Sequence, residues 1–392
     1  MARLIRRREL LAGAGAAALS AATTTPARAA YGDTPIAPIV TLGVVAPFTG
    51  DYIRLGEQIG NGVRAATDDA NRIRGIMDKS FTMRTFDDQN LLATGLVNAG
   101  FACDDPTIVC VIGHLSGTIT DAALRTYVNG QMPLIVPTAT YDPITAHGYG
   151  NVWRLATKDS TEGRLTALFV EAQLKPKVAA ALYQDGDYGF DVAGGFHDQL
   201  LNDKIDSKAI RFSFDKPDFI GVAKATAALK PDVVYLAGRA SDMGAVIVEL
   251  RAQGYTGPLY ASQGFFDAAT LQKFKDDTEG LIVSTPMPPL QLAPTVFRIR
   301  SDFEARYGQF TNLSAFAYAA AQIAIAAVNR GATDRLSLAR QIALGGAWQT
   351  CVGTLQFNNT GDPLDPDVYF YTIKNGTWKY AQAAHPNGFI LK

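Results

Sequence analysis

An α/β fold built on doubly wound, mainly parallel sheet, laid out twice in succession, is what this sequence of 392 residues predicts. Three observations carry the prediction. Short, nearly continuous apolar runs such as VCVIG (109–113) and MPLIVP (132–137) read as strands buried on both faces of a parallel sheet. Helix-length segments separate such runs at regular spacing, and the alternation restarts after residue 157. No low-complexity linker parts the two halves, and a hydrophobic content of 47% supplies two cores.

Residues 1–29 stand outside this plan. Arg6, Arg7 and Arg8 precede a small apolar run, LLAGAGAAALSAA, and Ala27-Arg28-Ala29 has the small-x-small form of a cleavage site, so the segment reads as an export signal. Arg7-Arg8-Glu9-Leu10-Leu11 fits the twin-arginine type, with a plain secretory signal as the alternative. The run is too short to span a bilayer, and the sequence reading finds no other stretch long enough.

The elements then follow in order. IVTLGVVAP (39–47) is a strand, Leu55 to Arg74 a helix, FTMRTFDD (81–88) a strand and Leu91 to Ala102 a helix. VCVIG, a helix over Ile119–Asn129 and MPLIVP come next, and VWRLA (152–156) leads out of the first half. The second half reads as helix Glu162–Gln173, strand VAAALYQD (178–185), helix Phe190–Asn202, strand KAIRFSF (208–214) and helix Phe219–Leu229. Strand DVVYLAG (232–238), helix Asp242–Gln253, strand PLYAS (258–262) and LIVSTPM (281–287) complete it, before long helices over Thr295–Tyr307 and Ala315–Asn329 that return to the first half.

Right-handed crossover connections place the loops after parallel strands at one sheet edge. The loops HLSGT (114–118) and TATYD (138–142) therefore open side by side. The first precedes a helix start, where free backbone N–H groups favour an anion such as a carboxylate. Gly117 allows close approach, and Ser116, Thr118, Thr138 and Thr140 offer hydroxyls. Helix capping is the alternative use of such hydroxyls.

Other chemistries are set aside on the residues. Without residues 1–29, which carry five Arg and one Glu, 31 basic residues face 36 acidic ones, a net charge of −5 that speaks against a nucleic-acid binder. GHLSG has its serine one place too late for a nucleophile elbow, the four His lack ligand spacing, and no phosphate-cradling GxxxxGK[ST] occurs. DGDYGFD (185–191) lacks the glycine and the closing glutamate of a calcium loop. No metal, cofactor or catalytic group is expected. Of three cysteines, Cys103 and Cys110 flank DDPTIV and are spaced for a small disulfide, with Cys351 left free.

VIGHLSGT, PLIVPTATYDPIT, GYGNVWRLATKDSTEG, GEQIGNGVRAATDDAN, LYQDGDYGFD and DVVYLAGRASDMGAVIVELRAQG together resemble the bacterial leucine/isoleucine/valine-binding proteins, periplasmic receptors of ABC importers. The resemblance implies a type I periplasmic-binding fold, with two Rossmann-like lobes joined by a three-segment hinge and a ligand trapped between them by closure. The implied N-terminal lobe is 36–157 plus about 287–365, and the C-terminal lobe 158–286 plus about 366–392. It also implies a periplasmic monomer, not an enzyme, whose partners are a small ligand and an inner-membrane ABC permease.

Family roles transfer residue by residue. The carboxylate-binding loop matches Gly117 and Thr118 beside Ser116, a second loop offering a carbonyl and a hydroxyl matches Ala139 and Thr140, the side-chain wall falls at Leu55, and the second-lobe tyrosine matches Tyr188. Two positions depart. Gln263 stands where amino-acid-binding relatives place a carboxylate for the ligand ammonium, and Arg239 where they often have a tyrosine. A buried ammonium without a counter-charge is costly. The expected ligand is accordingly either a hydrophobic amino acid or an amine-free aromatic or aliphatic acid. A receptor feeding a signalling partner is the alternative function, and a Rossmann-type dehydrogenase ranks below both because the glycine fingerprint is missing.

Overall fold

Runs that are apolar throughout become central parallel strands, because both of their faces must be covered. The computed structural model describes residues 38–72, 79–292, 294–385 and 390–391, so the export-signal reading of 1–29 lies outside the described residues. The chain divides into two compact units: one runs to Ala156 and includes Leu290–Leu364, and the other is Thr157–Pro289 with Asp365–Lys392.

The first unit begins with β1 (Ile39–Ala46), α1 (Ile53–Arg72), β2 (Ser80–Asp87), α2 (Leu92–Asp104), β3 (Ile108–Gly113), α3 (Gly117–Asn129), β4 (Leu134–Val136), the single-turn α4 (Pro143–Ala146) and β5 (Val152–Arg154). Its five strands are all parallel, in the order β2-β1-β3-β4-β5. VWRLA, read as an exit segment, thus supplies the fifth strand. Every residue of β3 is buried. Val45, Val111, Leu134, Ala99, Leu124 and Tyr127 belong to one core cluster in which the sheet meets α2 and α3.

The second unit contains α5 (Asp159–Leu174), β6 (Val178–Gln184), α6 (Asp187–Asn202), β7 (Asp206–Phe212), α7 (Phe219–Ala228), β8 (Val233–Ala237), α8 (Ala240–Ala252), β9 (Leu259–Ala261), α9 (Ala268–Lys273) and β10 (Ile282–Thr285). The chain then supplies the first unit with α10 (Pro294–Tyr307), α11 (Asn312–Asn329), α12 (Arg335–Leu344) and the hairpin β11 (Trp348–Thr350) and β12 (Gly353–Leu355). It ends in the second unit with β13 (Val368–Lys374), β14 (Thr377–Ala384) and β15 (Ile390–Leu391). The second sheet has the order β15-β14-β13-β10-β9-β8-β6-β7, parallel from β7 to β10 and antiparallel beyond.

Three departures from the sequence reading have physical causes. The antiparallel strand β13 mixes buried with half-buried positions, β14 alternates exposed with half-buried ones over most of its length, and both lack the continuous apolar run that marks the central strands. α11 is long and apolar enough to cross a membrane by length and composition, contrary to the reading that no other stretch qualifies, but 72% of it is buried inside the fold. Cys103 and Cys110 are both free and buried, so no disulfide joins them. Cys103 packs with Ile108 and Val111 on one face of the sheet, and strand alternation turns Cys110 to the other.

Glycines of the first helix set its approach to neighbours. A Cβ at Gly56 would lie 1.8 Å from Pro47 O, and one at Gly62 would lie 2.3 Å from Ser314 O on α11. Those obstacles are backbone and do not yield. Gly62→Val is expected to lower stability by about 1–3 kcal/mol or more in denaturant unfolding. Gly194→Ala in α6, where an added Cβ meets nothing within 4 Å, is expected to raise it, by about 0.5–1 kcal/mol.

Candidate functional site

In an open parallel sheet the ligand crevice forms at the carboxyl edge, where strand order reverses. In the first unit the reversal falls between β1 and β3, and the loops at that edge are cross-linked by polar groups. Asp87, at the end of β2, accepts from Phe48 N (2.8 Å), Thr49 N (3.3 Å) and Thr49 Oγ1 (2.5 Å), which fixes the loop after β1. His114, fully buried, bonds Asp88 Oδ2 through Nδ1 (2.8 Å) and Tyr127 OH through Nε2 (2.9 Å). It pins the loop after β3 to the loop after β2.

The two hydroxyl loops meet as the sequence predicts. α3 starts at Gly117, two residues earlier than expected, with Ser116 as its cap: Ser116 Oγ accepts from Ile119 N at 3.4 Å and lies 3.0 Å from Thr118 Oγ1. The N–H groups of Gly117 and Thr118 are then first-turn donors without a helical acceptor. A Cβ at Gly117 would sit 2.4 Å from Tyr141 Cβ, so only glycine lets the 138–142 loop come this close. Ala139 is buried, Thr140 half-buried, and Thr138 Oγ1 is a buried hydroxyl with no hydrogen-bond partner among the described residues. Leu55 is exposed in the first turn of α1.

Arg154 holds this second loop, and the sequence reading missed it. Its guanidinium is fully buried and donates to Thr140 O (2.9 Å), Tyr141 O (2.6 Å), Thr145 Oγ1 (2.6 Å) and Asp362 Oδ1 (2.6 Å). An arginine inside an otherwise apolar strand-like run was the available signal, because buried charges are paired.

In the second unit the reversal falls between β6 and β8, and a cavity of about 620 Å³ opens there. It is lined by residues following β6 (Asp185, Tyr188), β8 (Gly238, Arg239) and β9 (Gly264, Asp267). Tyr188 is half-buried on α6, and its hydroxyl accepts from Gly264 N at 3.1 Å. Burial holds that hydroxyl well above the ordinary titration range of tyrosine. Arg239 does not extend freely. Its guanidinium lies 3.8 Å over the Phe214 ring and donates to Asp242 Oδ2 from Nε (2.9 Å) and Nη2 (2.6 Å). Gln184 closes the group, accepting from Arg239 N at 2.9 Å and donating to Asp242.

Gln263 begins a turn of 3-10 helix, and its backbone N–H donates to Glu162 Oε1 at 3.1 Å. Glu162 Oε1 also accepts from Ser284 Oγ at 2.7 Å, while its second oxygen is buried without a partner among the described residues. Burial pushes this carboxyl up to about 7. Asp267 is the opposite case: the hydroxyl and backbone N–H of Thr270 hold it below the ordinary carboxylate value, so it stays ionised at the cavity.

Comparison with known proteins matches the model of the periplasmic binding protein family to residues 39–377. The chain belongs to this family. A Leu/Ile/Val-binding protein homolog of Brucella melitensis is 24% identical over 361 residues, covering 91% of this chain and 95% of its own. The Leu/Ile/Val-binding protein of Escherichia coli K12 is 25% identical over 339 residues, covering 85% and 90%. Among solved structures, a leucine binding protein from Thermotoga maritima superposes with a TM-score of 0.76 at 20% identity, over 89% of this chain and all of that one. A benzoate-bound solute binding protein from R. palustris gives 0.71 at 20% identity, over 89% and 97%. These likenesses establish the type I periplasmic-binding fold. The family consists of substrate-binding receptors.

Two predictions follow from the buried charges. Asp362→Ala strands the Arg154 guanidinium, and urea unfolding should report a loss of about 3–5 kcal/mol. Glu162 has a folded-state pKa above its unfolded value, so its contribution is complete below the unfolded value, near 4.5, and is lost as pH rises through about 7. Glu162→Gln keeps an acceptor for Gln263 N and Ser284. It should flatten the pH dependence of thermal unfolding across that window and raise stability above it, by about 1–3 kcal/mol. An unchanged pH profile in this variant would show that Glu162 titrates normally.

Proposed function

We propose that this chain is the solute-binding receptor of an ABC importer of the branched-chain-amino-acid type, taking a small carboxylate-bearing ligand. The observation that carries the reading is the meeting of the 114–118 and 138–142 loops. There the free N–H groups of Gly117 and Thr118 and the hydroxyls of Thr118, Thr138 and Thr140 offer donors to a carboxylate. The second unit carries a cavity of its own beside Tyr188 and Arg239. The proposal places the receptor in the periplasm, exported by the twin-arginine route through Arg7 and Arg8, with an inner-membrane permease as partner and without catalysis.

The ligand's other end is read from the second unit. Ionised Asp267 at the cavity supplies a counter-charge for an ammonium and supports a hydrophobic amino acid. A second reading, an amine-free aromatic acid, is favoured by neutral Gln263 and by the commitment of Asp242 to Arg239 and Gln184.

Calorimetric titration of the chain without residues 1–29, refolded to strip carried-over ligand, with leucine, phenylalanine, phenylacetate and 4-hydroxybenzoate separates these. Binding of the amino acids assigns the ammonium to an acid of the second unit, and binding of the amine-free acids alone assigns the pocket to them. In either case Thr140→Ala is expected to weaken binding by about 1–3 kcal/mol. Full affinity in that variant with the fold intact would remove the 138–142 loop from the site, and no binding of any of the four would remove the carboxylate reading.

A further inference from the structure

A helix that is apolar nearly all round is covered by neighbours on every side. α11 leaves one stripe facing open space. Tyr318, Gln322, Ile325, Ala326 and Asn329 recur at i, i+4, i+7, i+8 and i+11, the spacing of one helix face, and line a cavity of about 290 Å³ against Ala66 and Ala70 of α1. Gln322 and Gln349 also line a second cavity of about 440 Å³, walled by Arg298 and Ile299 of α10 and Thr350 of β11. The two meet at these glutamines and make one groove of a size that holds a small molecule. Phe81, the second residue of β2, lines it, so the groove lies toward the amino edge of the parallel sheet, opposite the 114–118 and 138–142 loops.

Its two ends differ in hydrogen-bonding character. At the α10 end Arg298 is exposed and has no partner among the described residues. The backbone N–H of Cys351 donates to Gln322 Oε1 at 2.8 Å. Because that N–H can only donate, the amide orientation is fixed, and the NH2 of Gln322 is the end left over. No carboxylate lines this cavity. At the other end Asn329 Oδ1 is buried without a partner among the described residues, an acceptor in need of a donor. Asp69 there is already engaged by Tyr318 OH (2.7 Å), Arg72 and Arg306 (3.3 Å). Between the ends the lining is apolar, with Ala66, Phe81, Ile325 and Ala326.

We propose that this groove is a second small-molecule site of the chain, for an acid with an apolar middle and a hydroxyl at its far end. The carboxylate pairs with Arg298 and accepts from the Gln322 amide, and the hydroxyl donates to Asn329 Oδ1. Gln322 and Asn329 lie about 10 Å apart along the helix axis, which sets the length of the ligand. A hydroxyl suits the Asn329 end better than an ammonium, because the charge of Asp69 is already matched by two guanidinium groups. The site stands apart from the ligand reading of the 114–118 and 138–142 loops and does not rest on it.

Calorimetric titration of the chain without residues 1–29 with 3-(4-hydroxyphenyl)propanoate, beside 3-phenylpropanoate, tests it. The expected result is a binding event that Arg298→Glu weakens at least tenfold and that the probe's hydroxyl strengthens severalfold. Asn329→Leu is expected to abolish the preference for the hydroxyl, and Thr140→Ala to leave this event unchanged. Arg298 is exposed, so Arg298→Glu keeps the fold, which circular dichroism checks. No binding at millimolar probe would overturn the proposal. So would binding that Arg298→Glu and Asn329→Leu both leave as in the unmodified chain, or that only Thr140→Ala weakens, which would put the probe at the 138–142 loop.

Discussion

The buried ion pair of Arg154 with Asp362 is the constraint on which the first unit's candidate site depends. Arg154 ends β5, an interior position where an unpaired guanidinium would be untenable. It is satisfied by a carboxylate supplied from the late segment 290–364 and by two carbonyls of the 138–142 loop. The loop is therefore shaped from behind, by charge. Its hydroxyls on Thr138 and Thr140 need take no part in holding it and are left for other partners. His114 with Asp88, and Asp87 with Phe48 and Thr49, do the same for the neighbouring loops. Together they make a rigid edge from segments that would be mobile if they relied on turn propensity alone.

The second unit solves the same problem with a different polar inventory. Gln184, Arg239 and Asp242 satisfy one another across the β6 and β8 loop ends, and Phe214 supports the guanidinium from one side. Tyr188 and Glu162 each hold one backbone N–H of the Gln263–Gly264 turn. Side chains that a linear comparison aligns with ligand contacts thus also build the cavity wall. A tyrosine whose hydroxyl accepts a backbone bond still lines the cavity, so the structural role of Tyr188 is compatible with the binding role proposed for it.

Much of this was legible in the sequence because its signals are local. The strand runs, the restart after residue 157 and the pairing of the 114–118 and 138–142 loops follow from apolar continuity and crossover handedness, and β1 to β4 and β6 to β9 all fall within the runs read as strands or overlap them, whereas β5 and β10 lie in segments read as connections. What escaped was set by distant partners or by weaker patterns. Arg154 gains meaning only when Asp362, some two hundred residues later, arrives beside it. Glu162, Asp242 and His114 look like ordinary surface-compatible residues in the linear sequence, and only the fold buries them. The Cys103–Cys110 spacing suggested a bridge, but helix and strand geometry sends the two thiols to different faces of one sheet.

The central claim is that donors of two adjacent loops, held from behind by buried charge, receive the ligand's carboxylate. Amide hydrogen exchange of the chain without residues 1–29, with and without a saturating acid that binds it, tests this most directly. The account predicts that protection rises at Gly117, Thr118 and the 138–142 loop of the first unit. Tight binding that leaves those amides exchanging as before would contradict it.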